Sequence, residues 1–139
     1  MRYMLDTNMV VYALKSQKYK YYCLAGKIEE HILKRDLCIS AITFSELQYG
    51  IYKSQNIEKN RIALIKFLSS IDILPYHDDC GIEYGKVRSF LEKSGTPIGP
   101  NDCLISAHAL AENCILVTHN VREFRRVPNL MFEDWLDQE

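Results

Sequence analysis

The sequence predicts a single α/β domain built on a central parallel sheet flanked by helices, and three observations carry that expectation. Short apolar runs, too brief for helices, alternate with longer segments whose apolar residues recur at helical spacing. Strand and helix signals follow one another repeatedly, with no internal repeat and no linker between them. The chain has 139 residues, of which 47% are apolar and 25% charged, so residues 1–139 suffice for one hydrophobic core but hardly for two. The same figures exclude disordered, collagen-like and low-complexity classes.

Met1 to Leu5 is an apolar run closed abruptly by Asp6-Thr7-Asn8, a buried strand turning into a helix over Met9 to Lys15. A second helix is expected over Tyr19 to Arg35, with Leu24, Ile28, Ile32 and Leu33 on one stripe, followed by the strand Leu37-Cys38-Ile39. Phe44, Leu47 and Ile51 place a helix over Ile42 to Tyr52. Another is expected over residues 57–70, then a strand from Ile71 to Leu74 that Pro75 stops. Asp78 and Asp79 open a long helix that Gly95 ends. The loop Thr96 to Pro100 leads into a helix from Asp102 to Glu112, then the strand Ile115 to Thr118. A short apolar element lies around Leu130 to Phe132.

Composition narrows the function classes. The formal charge of −1 gives no bulk electrostatic reason to expect nucleic acid, since generic polyanion binders are basic. Asp6 interrupts any secretory apolar stretch, and Met9 to Leu14 is far too short to span a bilayer, so a cytoplasmic protein is expected. Five cysteines (Cys23, Cys38, Cys80, Cys103 and Cys114) without a C-x-x-C pair read as reduced thiols lining the core. The four histidines lack zinc-ligand spacing, which argues against a zinc hydrolase.

In parallel sheets the functional crevice lies beyond the carboxyl ends of the strands. Asp6 ends the first strand, Glu46 follows the second on its helix, Asp102 starts a helix after a Pro-Gly-Pro loop, and Glu123 follows the last strand. These four carboxylates could converge there. Gathered acids repel one another, and a hard divalent cation relieves that repulsion. An all-oxygen donor set without His or Cys suits Mg²⁺ or Mn²⁺ and phosphoryl chemistry. Each residue also has a bland reading. Asp6 could cap a helix, Asp102 could favour a helix dipole, Thr43 to Glu46 matches a capping box, and Glu123 could be a solvated loop charge.

Four ordered blocks then bring a known family into view. Met4-Leu5-Asp6-Thr7-Asn8 comes first. Ser40-x-x-Thr43-x-x-Glu46-Leu47-x-Tyr49-Gly50 comes second, and Pro97-Ile98-Gly99-x-Asn101-Asp102-x-x-Ile105-x-x-His108-Ala109 third. The fourth is Leu116-Val117-Thr118-x-Asn120-x-x-Glu123-Phe124-x-Arg126-Val127-x-x-Leu130. Together they resemble PIN-domain proteins, and most of all the VapC toxins of bacterial VapBC toxin–antitoxin pairs, over essentially the whole chain.

The resemblance implies a PIN-like fold and a Mg²⁺- or Mn²⁺-dependent endoribonuclease acting on cellular RNA. It also implies neutralisation by a VapB-type antitoxin whose C-terminal segment enters the active-site groove, with a homodimer and a toxin–antitoxin hetero-oligomer. Position by position, Asp6 and Asp102 match the family's principal metal-binding aspartates, and Glu46 matches its glutamate after strand two. For the fourth acid the family offers either the position of Asn120 or that of Glu123. Glu123 is the better match, with Asn120 as a polar partner. Thr7 and Asn8 are expected to orient Asp6, and Thr118 to bond the cluster.

Arg122, Arg125 and Arg126 cluster beside the expected site and suit RNA phosphates, with Lys86 and Arg88 as further candidates. Tyr19, Tyr21 and Tyr22, interleaved with Lys18 and Lys20, form a possible stacking patch. The competing reading is a non-catalytic PIN-like binding domain. An aspartyl-phosphate phosphatase would need Asp-x-Asp after strand one, and position 8 is Asn. The near-zero charge itself conceals an imbalance: Glu133, Asp134, Asp137 and Glu139 carry four negative charges in the last seven residues, leaving the rest net basic.

Overall fold

The computed structural model describes residues 1–15 and 22–136. Among these residues the sheet has five strands, all parallel: β1 (Tyr3–Leu5), β2 (Leu37–Ser40), β3 (Asp72–Leu74), β4 (Ile115–Val117) and β5 (Phe132–Glu133). Their spatial order is β3-β2-β1-β4-β5, which puts the N-terminal strand at the centre. Tyr3 is in register with Leu37 on one side and Ile115 on the other.

Side-chain alternation splits the core into two layers. Leu5, Ile39 and Val117 face one way, into a cluster completed by helices α1 (Thr7–Leu14), α2 (Tyr22–Lys34), α3 (Ala41–Tyr52) and α4 (Ile57–Leu68). Met4, Cys38 and Leu116 face the other way, against α5 (Asp78–Lys93), α6 (Pro100–Ala111) and the short α7 (Val121–Phe124). Strands covered on both faces read as continuous apolar runs, and β1 and β4 do. No helix among the described residues is long and apolar enough to cross a membrane.

The element boundaries carry the chemistry. Asp6 Oδ1 accepts the Met9 amide at 2.8 Å, so α1 starts at Thr7, two residues before the apolar pattern suggests. Ser40 Oγ accepts the Ile42 amide at 3.0 Å and caps α3, which displaces the capping box read at Thr43–Glu46. Ser40 Oγ also bonds Nδ1 of the buried His108 at 2.7 Å, tying the start of α3 to α6. Pro100 occupies the first position of α6, where its missing N–H costs nothing, so Asp102 lies within the first turn and not at its first residue.

Other expectations also shift. Helix α7 has no apolar stripe to announce it, being one turn long. The tail element is the edge strand β5, two residues long. The predicted start of the second helix and the patch at Lys18, Tyr19, Lys20 and Tyr21 lie outside the described residues; Tyr22 begins α2 and is exposed. Cys38, Cys80, Cys103 and Cys114 are buried as expected, but Cys23 is exposed because it falls on the outer face of α2.

Phe124 is fully buried in the second cluster, directly after Glu123. Truncating it to alanine leaves a cavity that a close-packed interior refills only in part. Phe124→Ala should therefore lower unfolding free energy by about 3–5 kcal/mol in urea titrations followed by circular dichroism.

Candidate active site

Parallel strands deliver their carboxyl ends to one edge of the sheet, and four acids assemble there. Asp6 continues β1 and is buried. Its carboxylate holds the Met9 amide and also a hydrogen bond from the Thr118 hydroxyl at the end of β4. The Thr118 oxygen in turn accepts the Asn120 amide at 2.9 Å. Asp102 reaches the same edge from α6 and stands beside Glu123 of α7, close enough for that carboxylate to push it up. Asn120 Nδ2 donates to Glu123 Oε2 at 2.7 Å.

Glu46 is held from both sides. The Thr7 hydroxyl bonds its Oε1, and Asn101 Nδ2 donates to its Oε2 at 3.0 Å. Glu46 thus joins α3 to the first turns of α1 and α6, not to its own helix N-terminus. Thr7 consequently serves Glu46 and not Asp6, while Asn8 is exposed; Asp6 is oriented by Met9 N–H and Thr118.

The electrostatics follow from this crowding. Burial pushes the Asp6 carboxyl up to about 6 against the hydrogen bonds from Thr118 and Met9, with further upward pressure from Glu46 and Asp134. Asp102 is pushed up to about 7, first by burial, then by Glu123, Asp6 and Glu46. The fields that raise both groups come from acids.

Among the described residues, no group of three His, Cys, Asp or Glu side chains forms a ready metal cage. Mg²⁺ does not need one, because it commonly takes one or two carboxylates and keeps its waters. Asp6 and Asp102 are the carboxylates that could offer oxygen donors, and burial first, neighbouring acids second, raises both of them. The donor set fits a hard divalent cation.

Around this centre, Arg122 and Arg125 are exposed. Arg126 is half-buried, and its Nη1 donates to the Pro97 carbonyl at 3.1 Å, so it braces the loop before α6 as well as standing near the site. Two further groups take part at the site. Asn101 was visible as the neighbour of Asp102, but nothing in the sequence pairs it with Glu46. Asp134 looked like tail charge, and acts on Asp6 only because β5 joins the sheet beside β4. A groove of about 1240 Å³ between α1, α2, α3 and α4 includes Thr7 and Glu46 in its lining, and Leu47, Ile51, Leu64 and Phe67 supply apolar walls.

Residues 3–130 match the PIN domain family. A ribonuclease VapC2 of Rickettsia felis is 44% identical over 135 residues, spanning 97% of this chain and 98% of that protein. This chain is a PIN-domain protein of the VapC family. A tRNA(fMet)-specific endonuclease VapC of Salmonella typhimurium is 36% identical over 141 residues, with 97% and 98% coverage. Among solved structures, VapBC2 of Rickettsia felis bound to a promoter DNA fragment contains a chain that superposes with a TM-score of 0.89. That chain is 43% identical, with 97% of this chain and 99% of that one covered. DNA-bound VapBC of Salmonella typhimurium matches with a TM-score of 0.89 at 35% identity, covering 97% and 98%. The fold expected for a VapC protein is the fold observed.

The raised acids make a sign prediction for the metal-free protein. A carboxyl whose folded pKa exceeds its unfolded value favours the fold at low pH and loses that contribution as pH rises through the folded value. Asp102 therefore weakens the fold progressively between about pH 4 and pH 7. Asp102→Asn, measured in chelator by thermal denaturation, should raise Tm by a few degrees at pH 8 and change it little at pH 4.

Proposed function

We propose that this VapC-family chain is a Mg²⁺- or Mn²⁺-dependent endoribonuclease, the toxin of a toxin–antitoxin pair, restrained by a VapB-type antitoxin. The observation that carries the reading is the convergence of Asp6, Glu46, Asp102 and Glu123 at the carboxyl edge of the sheet, where burial first and neighbouring acids second push up the carboxyls of Asp6 and Asp102. The names of the relatives, a ribonuclease and a tRNA(fMet)-specific endonuclease, support RNA as the substrate.

Asp6 and Asp102 would hold the cation. When bound, it supplies charge neutralisation at the phosphodiester and lowers the pKa of the attacking water. Thr118 and the Met9 amide keep the Asp6 carboxylate turned to the site. Glu123, oriented by Asn120, or Glu46, oriented by Thr7 and Asn101, positions the water and accepts its proton. The water oxygen bonds to phosphorus as the bond from phosphorus to the 3′-oxygen breaks, leaving a 5′-phosphate and a 3′-hydroxyl. Arg122 and Arg125 suit flanking phosphates. Arg126 can contribute only what its bond to Pro97 leaves over.

The apolar groove beside Glu46 suits the antitoxin's C-terminal segment, since an amphipathic segment laid there buries Leu47, Ile51 and Phe67 and ends at the acids. VapBC complexes among the structural relatives support that partnership and a hetero-oligomer. A paired second copy of the toxin is the expected core of such an assembly.

Asp6→Asn keeps the helix cap and the volume while removing the charge. It should abolish Mg²⁺-dependent cleavage of RNA, with the fold retained by circular dichroism. Cleavage at the wild-type rate would overturn the assignment. Mn²⁺ binding, followed by electron paramagnetic resonance, should weaken at least tenfold in Asp102→Asn; unchanged binding would favour a non-catalytic domain. Gly50 lines the groove, and a side chain built there meets open space. Gly50→Trp should weaken binding of an antitoxin C-terminal peptide at least tenfold in fluorescence titrations, without loss of fold.

A further inference from the structure

A second, smaller cavity of about 210 Å³ lies between α5 and the loop that leads into α6. Its walls are Tyr84, Arg88 and Glu92 on successive turns of α5, facing Pro97, Ile98 and Pro100. Leu91 and Cys103, both buried, form the floor. The polar rim is already ordered: Arg88 Nη1 donates to the Tyr84 hydroxyl at 2.7 Å, and Arg88 Nε reaches Glu92 Oε2 at 3.4 Å. One aromatic ring and two proline rings therefore line a cavity whose mouth offers a guanidinium donor beside a carboxylate acceptor.

The slot sits against the machinery already described. Pro100 and Cys103 belong to the first turn of α6, and Asp102 projects from that same turn on another face. The Asp102 carboxylate packs against Gly99, with its Oδ2 3.8 Å from where a Cβ on Gly99 would stand, and Gly99 lies between the cavity residues Ile98 and Pro100. The bond from Arg126 to the Pro97 carbonyl fastens the cavity wall to the turn after Glu123.

We infer that this cavity is a nucleobase subsite, taking a base of the RNA that flanks the scissile phosphate, with guanine preferred. The inference rests on the ribonuclease reading for its substrate class and goes beyond it in naming what the chain reads. The volume is below the ~300–1,000 Å³ of pockets that take drug-sized ligands, which matches one base and not a whole nucleotide. Single-stranded RNA is recognised through splayed bases stacked on aromatic or guanidinium planes and hydrogen-bonded at their edges. Tyr84 provides the plane. Guanine alone presents two adjacent N–H donors, N1 and N2, to a single carboxylate, here Glu92. Its O6 and N7 are the acceptors an arginine pairs with, here Arg88.

Two measurements test this. Oligoribonucleotides varied at one flanking position should show kcat/KM at least tenfold higher for guanine than for adenine, cytosine or uracil, and Glu92→Gln should shrink that ratio to within about twofold. Tyr84→Ala should raise KM about tenfold with kcat little changed, the size expected for one lost stacking contact. Separately, guanosine titrated into metal-free protein should shift the amide resonances of Ile98 and Cys103 in wild type, while cytidine and uridine should not, and the response should vanish in Glu92→Gln. Wild-type cleavage without base preference, or preference untouched by Glu92→Gln, would overturn the subsite. A chain that cleaves no RNA yet binds guanosine at these residues would overturn the ribonuclease reading and leave the subsite standing.

Discussion

Everything at the candidate site depends on holding several carboxylates closer together than their charges prefer. A parallel sheet makes this possible, because β1, β2 and β4 end on the same edge and the helices that follow start there. Repulsion is countered by hydrogen bonds. Met9 N–H and Thr118 hold Asp6, Thr7 and Asn101 hold Glu46, and Asn120 holds Glu123. Burial, with the neighbouring acids adding to it, still leaves the carboxyls of Asp6 and Asp102 raised.

That arrangement ties stability to function. Asp6 is both the N-cap of α1 and a donor to the proposed cation site, so one oxygen serves the helix while the carboxylate charge serves the chemistry. Ser40 caps α3 and is clipped to His108 on α6; burial holds His108 below the usual imidazole range and hence neutral. The helices carrying Glu46 and Asp102 are therefore joined beneath the site by a buried polar contact and above it by Asn101. Arg126 performs a similar task for the Pro97–Pro100 loop. Polar groups that look dispensable in sequence set the spacing of the acids.

The surroundings divide into two surfaces of different chemistry. On the side of α1 to α4, a long apolar groove runs to Glu46 and suits a protein segment. On the side of α5 and α6, a small cavity walled by one aromatic and two proline rings, with a charged rim, suits a base. The near-neutral net charge is the sum of a basic outer surface, an acidic centre and an acidic tail, so it describes none of them.

Much of this was legible in sequence for a definite reason. Strand runs, helix stripes and the capping position of Asp6 are local properties, set by side-chain periodicity and by the hydrogen-bonding needs of helix ends. The four acids could be singled out in sequence as well: Asp6 directly follows β1, Asp102 and Glu123 lie in the first turns of α6 and α7, and Glu46 stands one turn into α3. Helix α7 and strand β5 could not be, since elements of four and two residues form only where tertiary packing supplies the free energy. The same limit hid the bond between Asn101 and Glu46, the field of Asp134 on Asp6, and the exchange by which Thr7 serves Glu46. Each joins residues far apart in the chain through side chains whose directions the backbone alone does not set. The sequence by itself determined the sheet, its order of elements and the identity of the acids. Tertiary structure decided which neighbour holds each acid, and which carboxyls burial raises, because that depends on distances between helices that meet only after the sheet has formed.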